Sequence, residues 1–332
     1  MSTRTERDSM GEMQVPVDAL YGASTARAVE NFPIAKKPVP KEVIHAFGYL
    51  KAACAIANRD LGKLDPTMAH AIISASDEVA EGMHDAHFPV DVYQTGSGTS
   101  TNMNANEVIA RLANEKLKHM PSLSSGEHKG ANGSNGTSSS LKVHPNDHVN
   151  MGQSSNDTFP TAMNIAAKIA AATRLRPALV RLHAALDERA KQWDAIVKVG
   201  RTHTMDATPV RMGQVFSGFA QQAHMANVRL IASLYELDTL AIGGTATGTG
   251  INTHPEFGRR VCEILSKRTN QSFSEGMNHF EAQSTRDGFV SAHATLKTIA
   301  VSLTKIANDV RLLGSGPRLS LIHISEPTRR YA

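Results

Sequence analysis

From Phe289 to Leu313 one apolar series runs through Phe289, Ala292, Leu296, Ile299, Leu303, Ile306, Val310 and Leu313. The steps alternate between three and four without a slip. A 3.5-residue period held this long draws one stripe along a straight helix and calls for near-parallel partners packed seam to seam. Two further runs share the spacing. One is Ile165, Ile169, Ala172, Leu175, Leu179, Leu182 and Leu186; the other is Val215, Phe219, Ala226, Leu230, Leu234 and Leu237. Pro177 predicts a kink in the first of these, since an interior proline costs roughly 3 kcal/mol of helix. Aromatic residues are only 5% of the chain and alanine is plentiful, which favours packed helices over sheets. The fold class expected is mostly α: a long helical bundle with a smaller N-terminal mixed helical domain. The stripes are core and imply no ligand.

Residues 1–40 read as an irregular polar arm, and 41–87 as helices broken around Gly62–Pro66. The expected organisation is an N-terminal domain at 1–150, a central bundle at 151–318 and an unrelated tail at 319–332. The Ser- and Gly-rich stretch 121–140 is expected to be a mobile surface loop without chemistry.

Composition excludes several functions. Basic and acidic residues number 35 and 31, a net charge of +4, and no basic block is interleaved with aromatics, so nucleic acid is not an expected partner. A mild positive excess suits a small anionic substrate. Cys54 and Cys262 are too few for a disulfide framework, an iron–sulfur cluster or a four-cysteine zinc site, and read as buried thiols in a reducing cytoplasm. The N-terminus lacks the apolar stretch of a secretory signal, and no run is apolar enough to span a membrane.

Chemistry is concentrated in small-residue loops between the helices. Ser97, Gly98 and Thr99 lie in a Gly/Ser/Thr/Asn cluster before a helix expected to begin near Asn106. The cluster has neither G-x-G-x-x-G nor a P-loop lysine, and hydroxyl and amide donors fit a carboxylate better than a phosphate. Ser154, Ser155 and Asn156 precede a helix that Asn156 or Asp157 could cap, with Pro160 in its first turn. Thr202 and His203 lie in a polar turn, followed by Thr208-Pro209, which reads as a helix start. Gly243–Gly250 is a further flexible loop. Together these loops offer many neutral donors, one titratable imidazole and no cluster with metal-ligand spacing; neither metal nor cofactor is expected. Such a set suits elimination or addition beside a carboxylate, where the hard step is making a carbanion. Each well-aimed donor contributes ~2.7–4 kcal/mol, by analogy with an oxyanion hole.

The chain resembles the class II (iron-independent) fumarases of the fumarase/aspartase superfamily. The resemblance rests on D-S-M-G-E-M-Q-V-P-V-D-A-L-Y-G-A at 8–23, A-V-E-N-F-P-I at 28–34 and G-S-G-T-S-T-N-M-N-A-N-E-V at 96–108. It continues through H-P-N-D at 144–147, Q-S-S-N-D at 153–157 and G-R-T-H-T-M-D-A-T-P at 200–209. It ends with G-G-T-A-T-G-T-G-I-N-T-H-P-E-F at 243–257 and I-A-N-D-V-R at 306–311. The resemblance implies the fumarase/aspartase bundle and reversible trans addition of water to fumarate, giving L-malate. It implies that Ser97, Gly98, Thr99, Ser154, Ser155, Asn156 and Thr202 bind the substrate and that His203 transfers a proton. His144, Pro145, Asn146 and Asp147 match a second anion site. Histidine at R-T-H separates fumarases from aspartases, which resemble R-T-Q there. A homotetramer is implied, each site drawing loops from several subunits. The alternatives are another lyase of the superfamily, aspartase-like, and a non-catalytic carboxylate-binding bundle.

Two departures from the family pattern stand out. Leu141 occupies a position where family members often carry arginine beside the second anion site. After Arg318 the family continues into G-S-S-x-x-P-x-K-x-N, which holds the serine base, and here the sequence reads L-S-L-I-H-I-S-E-P-T-R-R-Y-A instead. The expectation is a C-terminally truncated fumarase with foreign residues at 319–332 and little turnover of its own.

Overall fold

A computed structural model describes residues 2–119 and 141–314. The stretches 121–140 and 319–332, expected to be a mobile loop and an unrelated tail, lie outside the described residues. The chain divides into two compact units. One comprises Met1–Ile169 and Asp238–Arg286; the other comprises Ala170–Leu237 and the residues from Asp287 onward.

The first unit opens with a hairpin, not an irregular arm. Strands β1 (Thr3–Asp8) and β2 (Gly11–Pro16) pair antiparallel with Asp8 opposite Gly11. Asp8 accepts from the Met10 amide within the turn and pairs with Arg27 at 2.9 Å. Arg27 belongs to α1 (Ala23–Asn31), whose N-terminus has no cap from its own Gly22. Its orphan amides are served from a distance: the Glu107 carboxylate accepts from the amides of Gly22, Ser24 and Thr25 and from the Thr25 hydroxyl, at 2.6–3.1 Å. A carboxylate at a helix N-terminus satisfies free N–H groups and complements the dipole.

Helices α2 (Lys41–Asp60) and α3 (Pro66–Ala80) follow, interrupted where Gly62–Pro66 predicts. Asp65 caps α3 by accepting from the Thr67 and Met68 amides, with Pro66 at the first helical position. Residues Leu50 to Ala55 are buried consecutively, so no face of α2 there meets solvent. Gly48 permits this depth: a Cβ added there would lie 2.4 Å from the Ala80 backbone nitrogen. Helix α4 (Thr99–His119) carries Glu107 and buries Val108, Ile109 and Ala113. It starts seven residues before the expected position at Asn106, because Gln94 accepts from the Thr101 amide and Thr95 from the Ser100 amide. Asn106 is consequently buried within the helix, not displayed on a loop. Helix α5 (Ser155–Ala170) completes this part of the unit. The core of the first unit centres on Phe47, Leu50, Ile72, Ile109, Ile165 and Phe257.

Five residues beyond α5, Ala171–Leu175, are wound as a π turn, and α6 (Arg176–Gln192) begins next to Pro177. The backbone stays helical through Leu175 and Arg176, so Pro177 lies inside a continuous helical run, and the wider turn ahead of it accommodates a ring that would clash with a preceding carbonyl. Strands β3 (Val197–Thr202) and β4 (Met205–Arg211) form a second hairpin. Thr208-Pro209, read from the sequence as a helix start, lies inside β4. The helix begins three residues later as α7 (Met212–Leu234), where the Gln214 side chain reaches back to accept from the Arg211 backbone amide at 2.9 Å.

The chain returns to the first unit through strand β5 (Thr239–Leu240), α8 (Phe257–Thr269) and strand β6 (Ser274–Glu275), with β5 and β6 parallel. The short α9 (His279–Ser284) ends this return, and α10 (Asp287–Leu313) belongs to the second unit. The second core gathers Leu186 and Ala190 of α6, Met212, Phe216, Phe219 and Ala223 of α7, and Ile306 and Leu313 of α10. Trp193 packs edge-on against Phe216 with ring centroids 4.7 Å apart. The architecture is mostly helical, as the periodic stripes require. Among the described residues no helix is long and apolar enough to cross a membrane. Cys54 and Cys262 are buried free thiols.

Candidate active site

The first unit brings two of the small-residue loops together. Gly98 has φ +70 and sits under the Phe159 ring, and a Cβ built on it would lie 2.2 Å from that ring. Only glycine fits both the conformation and the space. The turn at Gly98 delivers Thr99 to the start of α4, where its hydroxyl lies 2.8 Å from Ser97 Oγ and 2.8 Å from Ser155 Oγ. Hydroxyls separated by 56 residues are thus in direct contact. Both Thr99 and Ser155 open a helix, so two positive dipole ends converge where these hydroxyls meet.

Ser154, not Asn156 or Asp157, caps α5. Its hydroxyl accepts from the Asn156 amide at 3.2 Å, while the Asp157 carboxylate reaches back to accept from the Ser154 amide at 2.9 Å. The pair forms a reciprocal cap. Pro160 lies inside α5, beyond its first turn. Asn156 is exposed and donates from its side chain to the Ala246 carbonyl at 2.7 Å, and Asp157 accepts from the amides of Gly243 and Thr245 at 3.3 and 2.8 Å. The stretch Gly243–Gly250, expected to be a flexible loop, is therefore tied to α5. Burial outweighs these three N–H bonds and pushes the Asp157 carboxyl up to about 7.

Beneath the loops lies a group that sequence reasoning missed. Lys51 of α2 is fully buried, and its ammonium donates to Asn102 Oδ1 at 2.8 Å, Asn150 Oδ1 at 3.0 Å and Gln153 Oε1 at 2.9 Å. Burial draws its pKa down to about 8, opposed by Cys54 and Asp157. The available signal was the company it keeps: Leu50-Lys51-Ala52-Ala53-Cys54-Ala55 offers no polar face on which a lysine could be solvated.

Thr202 and His203 lie in the second unit. Thr202 pairs with Met205, so His203 and Thr204 form a two-residue hairpin turn, with φ of 50 and 64. Both signs are those of a type I′ turn, which normally takes Asn and Gly. His203 is exposed at the tip, nine positions before α7. A β-hairpin, not a helix N-terminus, presents it.

His144 and Asp147 bracket a separate turn, with Pro145–Val149 wound as a π turn. His144 Nδ1 is 3.1 Å from Asp147 Oδ2, and both side chains are largely exposed. Leu141 is exposed nearby in the chain. A cavity of about 530 Å³ in the first unit is lined by Asn58, Lys63, Gly152 and His254, and it holds none of the expected substrate residues.

A helical chain whose loops pool hydroxyls and amides at helix starts matches one family throughout. The pattern of the lyase family fits residues 11–330, and the chain belongs to that family. Within it the similarity is to class II fumarate hydratases. That of Corynebacterium glutamicum is 51% identical over 98% of this chain, and that of Mycobacterium tuberculosis is equally so. The chain covers 64% of the length of each. The Staphylococcus aureus class II fumarate hydratase is 47% identical, with 67% of its length covered. Among solved structures, a class II fumarase from Schistosoma mansoni superposes with a TM-score of 0.87 at 35% identity, covering 96% of this chain and 67% of that one.

Proposed function

We propose that this chain carries the dicarboxylate-binding loops and the proton-transferring histidine of a fumarate hydratase. The reaction is reversible: water adds across the double bond of fumarate to give L-malate. In the direction of fumarate, loss of the C3 proton of malate leaves a carbanion whose charge spreads onto the adjacent carboxylate. Ser97, Gly98, Thr99, Ser154, Ser155, Asn156 and Thr202 are the groups assigned to hold that carboxylate. His203 is assigned the proton transfer, worth about 10²–10⁴-fold in rate. The observation that carries the reading is the contact of Thr99 with Ser155 at two converging helix starts, in a chain half identical to class II fumarate hydratases.

The turn at His144, Pro145, Asn146 and Asp147 is assigned as a second anion site. A homotetramer supplies the remaining assembly: it brings His203 of one copy to the loops of another, and the apolar residues exposed on α10 favour such contacts. Two unpaired buried thiols favour the cytoplasm.

Calorimetry with fumarate, L-malate and aspartate, beside an absorbance assay of fumarate hydration, tests the function. Fumarate and malate should bind, and aspartate should not. Preference for aspartate assigns the chain to an ammonia lyase; dicarboxylate binding without turnover in the protein carrying the whole family sequence leaves a non-catalytic binder.

A further inference from the structure

Lys51 is the one lysine among the described residues with a fully buried side chain, and three carboxamide oxygens surround its ammonium. These oxygens come from two places. Asn102 lies one turn into α4, three residues after Thr99. Asn150 and Gln153 lie in the turn that runs directly into Ser154. The amide groups are oriented for this role. Asn150 Nδ2 donates to the Gln153 carbonyl at 3.3 Å, and Gln153 Nε2 donates to the Val149 and Met151 carbonyls at 3.1 and 3.2 Å. Their NH₂ groups are spent on the backbone of the turn, which leaves the Gln153 oxygen to the ammonium, while Asn150 Oδ1 accepts both from the ammonium and from Asn102 Nδ2 at 3.2 Å. Asn102 Oδ1 also accepts from Thr158 Oγ1 of α5 at 3.1 Å, so the first and second loops meet at the same ammonium. Lysine is the only side chain that donates three bonds to three acceptors from one atom. Such charge-assisted bonds in a dry interior are short and strong, and an acceptor left without its donor there is heavily penalised.

We propose that Lys51 is a positioning residue for the dicarboxylate site: its buried ammonium clamps the start of α4 to the turn before α5 and so fixes the spacing of the two hydroxyl-bearing loops. The proposal rests on the reading of those loops as the substrate site. Lys51 touches no loop hydroxyl; it acts through Asn102, Asn150 and Gln153. Its buried charge also lies below the two helix starts, where it adds to the positive field that a dianion would meet.

The test compares the 332-residue chain with its Lys51→Met and Gln153→Met variants by hydrogen exchange and by calorimetric titration with fumarate. In Lys51→Met, amide exchange should accelerate about tenfold or more in both 95–106 and 149–158, while α3 and α8 keep their protection. In Gln153→Met only 149–158 should accelerate. Fumarate affinity should fall about tenfold in both variants. A uniform acceleration through the whole first unit marks a lysine that merely supports the core, and overturns the proposal. Unchanged exchange at either loop in Lys51→Met overturns it too. Should Lys51→Met fail to fold, Gln153→Met decides, because Gln153 is only half-buried; unchanged exchange at 149–158 then sinks the idea. Failure of the unsubstituted chain to bind fumarate counts against the functional reading instead, and the exchange pattern still judges the clamp.

Discussion

Gly98 and Asp157 show how much of the candidate site hangs on single residues. Gly98→Ala adds a methyl where the Phe159 ring already lies and demands φ +70 of a residue with a Cβ. Displacing the ring and straining the turn should destabilise the chain by about 2–4 kcal/mol in urea unfolding and abolish fumarate binding. Asp157 works in the opposite sense from most carboxylates. Its folded pKa, about 7, lies above the ordinary value of 3.8, so the folded state holds the proton more tightly than the unfolded one. The resulting stabilisation is complete below about pH 4 and is lost as pH rises through 7. Asp157→Asn removes the titration. The stability of the unsubstituted chain relative to that variant should therefore decline between pH 4 and pH 7, measured by urea unfolding at several pH values. A difference that stays flat over that range would show the carboxyl to be ionised throughout. Sequence reasoning placed Asp157 in a helix start and stopped there. Its contacts with Gly243 and Thr245 span more than eighty positions, and no local pattern encodes them.

At the scale of elements, the long helices were legible and their ends were not. The stripe from Ile165 to Leu186, which runs from α5 into α6, and those of α7 and α10 follow from side-chain spacing alone, since a helix must turn one face inward along its length. Ends depend on which side chain reaches the orphan amides. Gln94 and Thr95 draw the start of α4 back to Thr99, and Arg211 with Gln214 moves the start of α7 past Thr208-Pro209. The hairpin that carries His203 was missed because its turn is His203-Thr204, where both residues sit at positive φ without glycine. For threonine that conformation is costly, about 1–2 kcal/mol. Thr204→Gly should stabilise the second unit by about 1 kcal/mol, seen as a higher urea midpoint at unchanged slope. A destabilised variant would mean that the Thr204 hydroxyl bond to the His203 carbonyl outweighs the strain.

For the whole molecule, the 3.5-residue seam of α10 splits into two rows. Ile299, Ile306 and Leu313 are buried, while Leu296 and Val310 are more than a third exposed. Val301 and Leu312, at 62% and 56%, widen the exposed face. Among the described residues one row therefore packs within the second unit, and the other is left exposed. Each such side chain stabilises an interface by ~1.5–3 kcal/mol when covered. Light scattering after gel filtration should find the chain associated, and Leu296→Glu with Val310→Glu should shift it towards the monomer. A monomeric unsubstituted chain would remove the support for a homotetramer.

The sequence by itself determined the helical class, the position of the seams, the break between α2 and α3, and the family, because these are written in spacing and in contiguous motifs. It also named Ser97, Thr99, Ser154 and Ser155 as a set. Only the tertiary structure decided that Thr99 touches Ser155, that Glu107 caps α1 from another helix, and that Lys51 lies in the core beneath the loops. Those facts depend on which segments distant in the chain share one interior. There, a polar group must find its partner wherever the fold supplies one, because water is not available to serve instead.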